Sequence, residues 1–178
     1  MIDFKLLLAN MPDLLRGLMV TLQIAGFGCG IGMGLGTLLG VMQALGPRIG
    51  RWSVTLYVTL IRGTPMLMQI IFVFYVLPEF GIRIPTFWAA TIAIGLNSAA
   101  YISQVIRSGI ASVSRGQIEA ARVLGLSSGT IIYVIILPQA IRAVLPALGN
   151  EFITLVKDSS LASTIGVAEL SKEGSLIR

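Results

Sequence analysis

GLMVTLQIAGFGCGIGMGLGTLLGVMQALGP, residues Gly17–Pro47, contains no Asp, Glu, Lys or Arg. A helix needs about 20 mainly apolar residues to cross about 30 Å of hydrocarbon, so this stretch reads as a membrane span with its core at 18–45. A secretory signal is excluded by length, since its apolar core is about 7 to 15 residues behind a basic start. Here the leader instead mixes Asp3, Lys5, Asp13 and Arg16.

Working outward, three more apolar regions follow. The second span is expected at 64–78, behind Arg62, with the shorter run Trp52 to Ile61 as a lead-in helix along the cytoplasmic interface. The third lies between Arg83 and Arg107 and is expected at 85–106. The fourth region, Gly129 to Val156, is interrupted by Pro138, Arg142, Pro146 and Glu151, which a simple lipid-facing rod does not tolerate. Two segments are expected there, an approach helix ending near Arg142 and a span at 143–157.

The composition agrees with a bilayer as main solvent. Of 178 residues 55% are hydrophobic and 12% charged, against about 25% charged in soluble domains, and the mean hydropathy is +0.88. The fold class expected is all-α, a polytopic helical membrane protein of one domain over 1–178. The net charge of +5 does not point to nucleic acid, because the basic residues stand singly at the edges of apolar runs. With no histidine and a single cysteine, Cys29, a zinc site, a disulfide and the usual acid–base machinery lack their residues. Cys29 itself reads as a small packing residue.

Basic residues also set the orientation, since short cytoplasmic loops are enriched in Lys and Arg. Arg48 and Arg51, with Arg62 close behind, follow the first span without an acid, and Arg107, Arg115 and Arg122 meet one acid, Glu119, after the third. The leader and the Glu79–Arg83 loop balance to zero. Both basic loops are therefore expected in the cytoplasm and the N-terminus outside. Within the first span, glycines at 26, 30 and 34 and at 28, 32, 36 and 40 form two four-residue ladders, the small-xxx-small pattern of close helix packing. Packing within one bundle is favoured over a subunit dimerisation face.

Between the third and fourth spans lies Ser114-Arg115-Gly116-Gln117-Ile118-Glu119-Ala120-Ala121-Arg122-Val123-Leu124-Gly125, too polar to span. Ser114 and Gln117 have capping-box spacing, the middle favours helix, and Gly125 suits a left-handed terminator. A short helix over 115–125 is expected, a cytoplasmic knob whose alanine face fits another protein's groove.

Glu119-Ala120-Ala121, three residues, Gly125, nine residues and Ile135-Ile136-Leu137-Pro138 together resemble the EAA-x3-G-x9-I-x-L-P signature of ABC-importer permeases. Arg62-Gly63-Thr64-Pro65, Asn97-Ser98-Ala99-Ala100-Tyr101, Val113-x3-Gln117, Gly149-Asn150-Glu151-Phe152 and Lys157-Asp158-Ser159-Ser160-Leu161-Ala162-Ser163 resemble the polar amino-acid uptake group, which serves histidine, arginine, glutamine and similar substrates. The resemblance implies the type I ABC importer transmembrane-domain fold, with about four spans present and a coupling helix that inserts into a cytoplasmic ATPase. It implies Gly116, Gln117, Glu119, Ala120, Ala121 and Gly125 as the docking residues. It also implies a bacterial cytoplasmic (inner) membrane, a second permease copy or homologous permease, an extracytoplasmic solute-binding protein and an amino-acid substrate. Permeases of this kind normally carry five spans, the last behind Gly166-Val167-Ala168-Glu169-Leu170, so the expectation is of a chain lacking the closing helix, a fragment or a shortened variant.

The sequence has no G-x-x-x-x-G-K-[ST] loop, so no cofactor is expected in this chain, ATP being bound by the partner subunit. The chain is thus expected to be a transporter subunit and not an enzyme, moved between inward- and outward-open states by a partner's ATP cycle. A charge near the membrane midplane costs at least about 2.5 kcal/mol, which singles out Glu151 and Asp158, two turns apart on one face of the fourth span. They either receive the ammonium or guanidinium group of a substrate, or Glu151 pairs with Arg142 or Lys157. Asn97 and Tyr101, one turn apart, either bind substrate or make interhelical contacts. Arg62 is expected at the cytoplasmic rim or on lipid phosphate in preference to a substrate role, and Gln69 stays open between pathway and helix contact. Alternatives to the amino-acid permease are a permease for methionine or another small solute, and a truncated subunit that only docks the ATPase.

Overall fold

The structure is a computed structural model and describes residues 8–177. Asp3 and Lys5 of the leader lie outside them. Among the described residues every regular element is helical. In chain order these are α1 (Met11–Leu45), α2 (Arg48–Arg62), α3 (Met66–Phe80), α4 (Thr86–Ala111), α5 (Arg115–Val123), α6 (Ser128–Ile165) and α7 (Leu170–Leu176). Three helices, α1, α4 and α6, are long and apolar enough to cross a bilayer, and α2 with α3 forms a fourth candidate, bent by 102°.

α1 and α4 form the spine, and one of the two glycine ladders is the reason. A β-carbon at Gly28 would lie 3.1 Å from Ile94 Cγ2, at Gly32 2.9 Å from Ser98 Cβ, at Gly36 2.8 Å from Ile102 Cβ and at Gly40 2.7 Å from Ile106 Cβ. The seam needs hydrogen atoms at these positions, because helices of small residues associate in lipid by close van der Waals contact. Gly26, Gly30 and Gly34 have nothing within 4 Å, so the two ladders face opposite ways and only one belongs to the bundle interior. Around the seam, Ile24, Ala25, Ile70, Ala89, Ala90, Ala93, Ile94 and Leu155 make the main core.

The fourth region corrects the expectation of two segments. No break occurs at Arg142. Residues Leu137–Asp158 are one α-helix with Pro146 inside it, preceded by a π-helical turn at Ile131–Ile136. A proline removes one amide and crowds the carbonyl four residues back, whereas a π turn already shifts the bonding pattern away from that partner. The same device recurs in α3, where the π turn Phe72–Val76 ends two residues before Pro78. Pro146 has no such turn, and the neighbouring helices of a bundle tolerate it there.

The bend between α2 and α3 leaves carbonyls without helical partners, a cost that lipid does not relieve. Gln69 meets them. Its Nε2 donates to the Ile61 carbonyl at 2.8 Å, to the Thr64 carbonyl at 3.1 Å and to Thr64 Oγ1 at 2.9 Å. Farther along, Gln104 Nε2 donates to Gln43 Oε1 at 2.7 Å, and Gln43 Nε2 to Thr55 Oγ1 at 3.0 Å, tying α4, α1 and α2 at one end of the bundle. At the opposite end α7 lies on α1. Glu169, 1% exposed, accepts from the Ser171 and Lys172 amides at 2.9 and 2.8 Å and from Thr21 Oγ1 at 3.4 Å.

Candidate functional site: a docking knob and a midplane cluster

Two groups of polar residues stand out, at the bundle end and at its middle. The first is α5. Its terminus is a glycine-closed reversal: Gly125 has φ +78°, its amide bonds the Arg122 carbonyl at 2.9 Å, and the Leu126 amide reaches back to the Ala121 carbonyl at 3.1 Å. That is the Schellman pattern, which requires a left-handed residue after the helix. At the other end Ser114 makes no side-chain cap, contrary to the capping-box spacing. Gln117 instead accepts a 2.7 Å bond from Gln139 Nε2 of α6.

Of the residues expected to dock a partner, Gly116, Gln117, Glu119 and Ala120 are exposed. Ala121 is not. It is 3% exposed and packs with Val113, Ile131 and Ile136, so the exposed face carries one alanine, and the other anchors α5 to α6. The helix turns the intervening side chains by 100° per residue, so adjacent alanines cannot share a face with a groove. Sequence reading missed Val123 and Leu124, which are 88% and 80% exposed at the tip of the knob. Their signal was available as two adjacent apolar residues between Arg122 and Gly125, where a solvated loop favours polar ones.

The second group sits halfway along α4. That helix has 26 residues and its midpoint falls at 98–99, so Asn97, Ser98 and Tyr101 lie near the middle of its length. Asn97 Nδ2 donates to Gln69 Oε1 at 3.1 Å, which makes both residues interhelical contacts and extends the network that caps α2. Ser98 Oγ donates to Glu151 Oε1 at 3.1 Å. Glu151 therefore answers to a hydroxyl of α4 and to neither Arg142 nor Lys157; among the described residues the one ion pair is Asp13–Arg16 at 3.7 Å, on the exposed surface. Glu151 and Asp158 are both partly buried on α6. Arg62 is exposed, and its Cζ lies 4.8 Å from the centroid of the Tyr101 ring, a cation–π contact. The structure thus gathers Arg62, Gln69, Asn97, Ser98, Tyr101 and Glu151 around one stretch of α4, with Asp158 two turns farther along α6.

The two groups share one element. α5 is bound to α6 through Ala121, Ile118 and the Gln117–Gln139 bond, and α6 carries Glu151. Twelve residues separate Gln139 from Glu151, about 18 Å of helix.

Residues 32–178 match the family described as binding-protein-dependent transport system inner membrane component. The chain is 38% identical over 172 residues to the arginine transport system permease protein of Bacillus subtilis (strain 168), covering 96% of this chain and 78% of that protein. It is 38% identical over 174 residues to the glutamine transport system permease protein of Escherichia coli (strain K12), covering 97% and 80%. A crystal structure of an amino acid ABC transporter with histidines superposes with a TM-score of 0.93 at 37% identity, covering 99% of this chain and 83% of that one.

Proposed function

The chain belongs to the family of binding-protein-dependent transport system inner membrane components, and from that premise we propose that it is the permease subunit of an ABC importer that carries polar amino acids across the bacterial cytoplasmic membrane. The relatives that transport arginine and glutamine, at 38% identity over nearly the whole chain, support the cargo class. The single observation that carries the mechanism is the exposed knob α5 fastened to the helix that bears Glu151.

ATP is bound and hydrolysed by a separate subunit, and this chain converts that subunit's movement into a change of access. Glu119, Ala120, Val123 and Leu124 face the groove of the ATPase, with Gly116 beside them. Gly125 holds the reversal that presents them, and Gln117 and Ala121 hold the knob to α6. When two ATPase subunits close on ATP, the grip on α5 is drawn inward and α6 moves with it as a rigid body, shifting Glu151 and Asp158 between the two sides. Alternating access follows from the differential affinity of nucleotide for the closed motor. A second permease, the same chain or a relative, completes the pathway, and an extracytoplasmic binding protein delivers the substrate. With α5 in the cytoplasm, the odd number of crossings before it puts the N-terminus outside.

Within the pathway, Glu151 and Asp158 attract the positively charged part of the amino acid, while Asn97 and Tyr101 flank it. The test is reconstitution with the ATPase and the binding protein in vesicles, followed by uptake of labelled arginine, glutamine and histidine. ATP-dependent accumulation of at least one is expected. Leu124→Glu places a charge on the tip and is expected to reduce retention of the ATPase during purification by tenfold or about 1.4 kcal/mol. Full retention and full uptake in that variant would remove α5 from the coupling role.

A further inference from the structure

The outer face of α2 plays no part in the coupling described above. Arg48, Arg51, Trp52, Thr55, Leu56 and Thr59 line a groove of about 590 Å³ along it. Trp52 forms a ridge, and on its other side Ile49 and Ser53 join Arg48, Trp52 and Leu56 around a second groove of about 390 Å³. Ile49, Trp52 and Leu56 are 81%, 73% and 55% exposed, so an uncovered apolar surface lies directly beside two guanidinium groups. Thr55 accepts a 3.0 Å bond from Gln43 Nε2, which levels this part of α2 with the last turn of α1. Arg48 and Arg51 therefore stand at the rim of the bundle, at the end that carries the knob, with Trp52 one step inside them. That order, cation and then tryptophan, is the one found at headgroup level.

The two arginines have no counter-charge from the protein. From Leu14 to Pro78 the sequence contains no Asp or Glu, and among the described residues the one ion pair is Asp13–Arg16. Arg51 is nonetheless held in place, because its Nε donates to the Gly46 carbonyl at 2.8 Å in the turn between α1 and α2. The terminal nitrogens of its fork are left for another acceptor. Arg48 and Arg51 are neighbours at three-residue spacing on the helix surface, close enough for both to reach one phosphate, the group that arginine pairs with through parallel N–H···O bonds.

We propose that this face of α2 binds one anionic glycerophospholipid of the cytoplasmic leaflet, with its phosphate between Arg48 and Arg51 and its acyl chains in the grooves on either side of Trp52. Charge decides the occupant. A zwitterionic headgroup brings an ammonium along with its phosphate, and a second copy seated on this face by two-fold symmetry sets the same arginines against their own kind. The lipid supplies the negative charge that this stretch of sequence lacks, and it fixes the start of the helix that leads into the bend. The site rests on the cytoplasmic placement of that end of the bundle and not on the cargo.

Trp52 reports on its own site, because Trp88→Phe leaves it the only tryptophan in the chain. The full chain carrying that substitution is reconstituted in phosphatidylcholine vesicles containing rising fractions of phosphatidylglycerol or phosphatidylethanolamine with dibrominated chains. Contact quenching of Trp52 then gives the affinity of each lipid relative to phosphatidylcholine. Phosphatidylglycerol is expected to bind about tenfold or more tightly than phosphatidylethanolamine, in line with two arginines at an anionic surface. Replacing both Arg48 and Arg51 by glutamine is expected to bring the ratio to about one, while dibrominated phosphatidylcholine still quenches Trp52 and so shows α2 in place. Replacing both by lysine keeps the charges that set orientation, and an intermediate ratio is expected. Equal affinity for the two headgroups before either arginine is changed, or a preference untouched by the double glutamine variant, would overturn the site. So would a Trp52 that no brominated lipid quenches, the outcome for a face covered by protein. None of these results bears on the amino-acid reading, which uptake tests separately.

Discussion

Replacing Gly40 and Gly34 by alanine, one at a time, tests the packing from which everything else in the bundle is positioned. The two sites lie on the same helix and receive the same methyl group. At Gly40 the new carbon would stand 2.7 Å from both Ile106 Cβ and the Ser103 carbonyl. Neither neighbour can step aside, because Ile106 is branched at the contacting atom and the carbonyl belongs to the α4 backbone. Ordinary contact begins near 3.5 Å, so α1 and α4 must part by most of an ångström, and overpacking of this kind costs about 1–3 kcal/mol. Against it stands the gain of about 1 kcal/mol for removing glycine from a helix interior, for a net loss of up to about 2 kcal/mol. At Gly34 nothing lies within 4 Å, and only the helix-propensity gain remains. The assay is thermal unfolding of the detergent-solubilised permease followed by size-exclusion chromatography. At about 2–4 °C per kcal/mol for a chain of this size, Gly40→Ala is expected several degrees below wild type and Gly34→Ala at or above it. Equal destabilisation by both would refute the assignment of the inward ladder.

Gln69→Leu keeps the volume and removes the side-chain bonds that Gln69 makes at the bend, leaving the Ile61 carbonyl to Thr64 alone and taking a partner from the Thr64 carbonyl and from Asn97. An unmet buried polar group costs about 1–3 kcal/mol, so a lower unfolding temperature than for Gln69→Glu, which keeps an acceptor for Asn97, is expected in the same chromatographic assay. Gly125→Ala adds a side chain at φ +78°, where nothing obstructs it in space but the left-handed backbone costs about 1–2 kcal/mol. Weaker retention of the ATPase with unchanged thermal stability of the membrane bundle is expected, measured by copurification beside the unfolding curve.

The membrane class and the number of apolar regions are legible in the sequence because a bilayer imposes two coarse filters, length without charge and basic residues at the cytoplasmic side. The reversal at Gly125 is legible for a similar reason, since few residues accept its conformation. What escapes is whatever depends on which way a side chain turns. Ala120 and Ala121 are equivalent as letters, yet one faces outward and the other is sealed against Ile131 and Ile136. The two glycine ladders are equivalent as patterns, yet only the one opposite Ile94, Ser98, Ile102 and Ile106 has a neighbour. Pro138 and Pro146 read as breaks because propensity counts the lost amide, and the π turn that absorbs Pro138 has no letter of its own. Gln69, Asn97 and Arg62 each carry a role set by residues about 30 to 40 positions away, which no local pattern records.

The continuity of α6 has a mechanical consequence that two segments would not have. A hinge at Arg142 would let the knob move while Glu151 stayed in place, because the helix on one side of the hinge could turn without the other. A continuous helix cannot do this: the Gln117–Gln139 bond and the packed Ala121 grip one end, and Glu151, about 18 Å away, must follow. The wide π turn at Ile131–Ile136 belongs to the gripping end, where Ile131 and Ile136 pack against Ala121, and the stretch from Leu137 to Asp158 stays one helix through Pro146, which takes the helical amide from the Arg142 carbonyl without dividing it. Substitution of Gly149 or another exposed position on α6 by proline would introduce the missing hinge, and the expected result is ATP hydrolysis that continues with the ATPase still bound while uptake falls away. Uptake that stayed coupled to hydrolysis in such a variant would mean that α6 is not the lever.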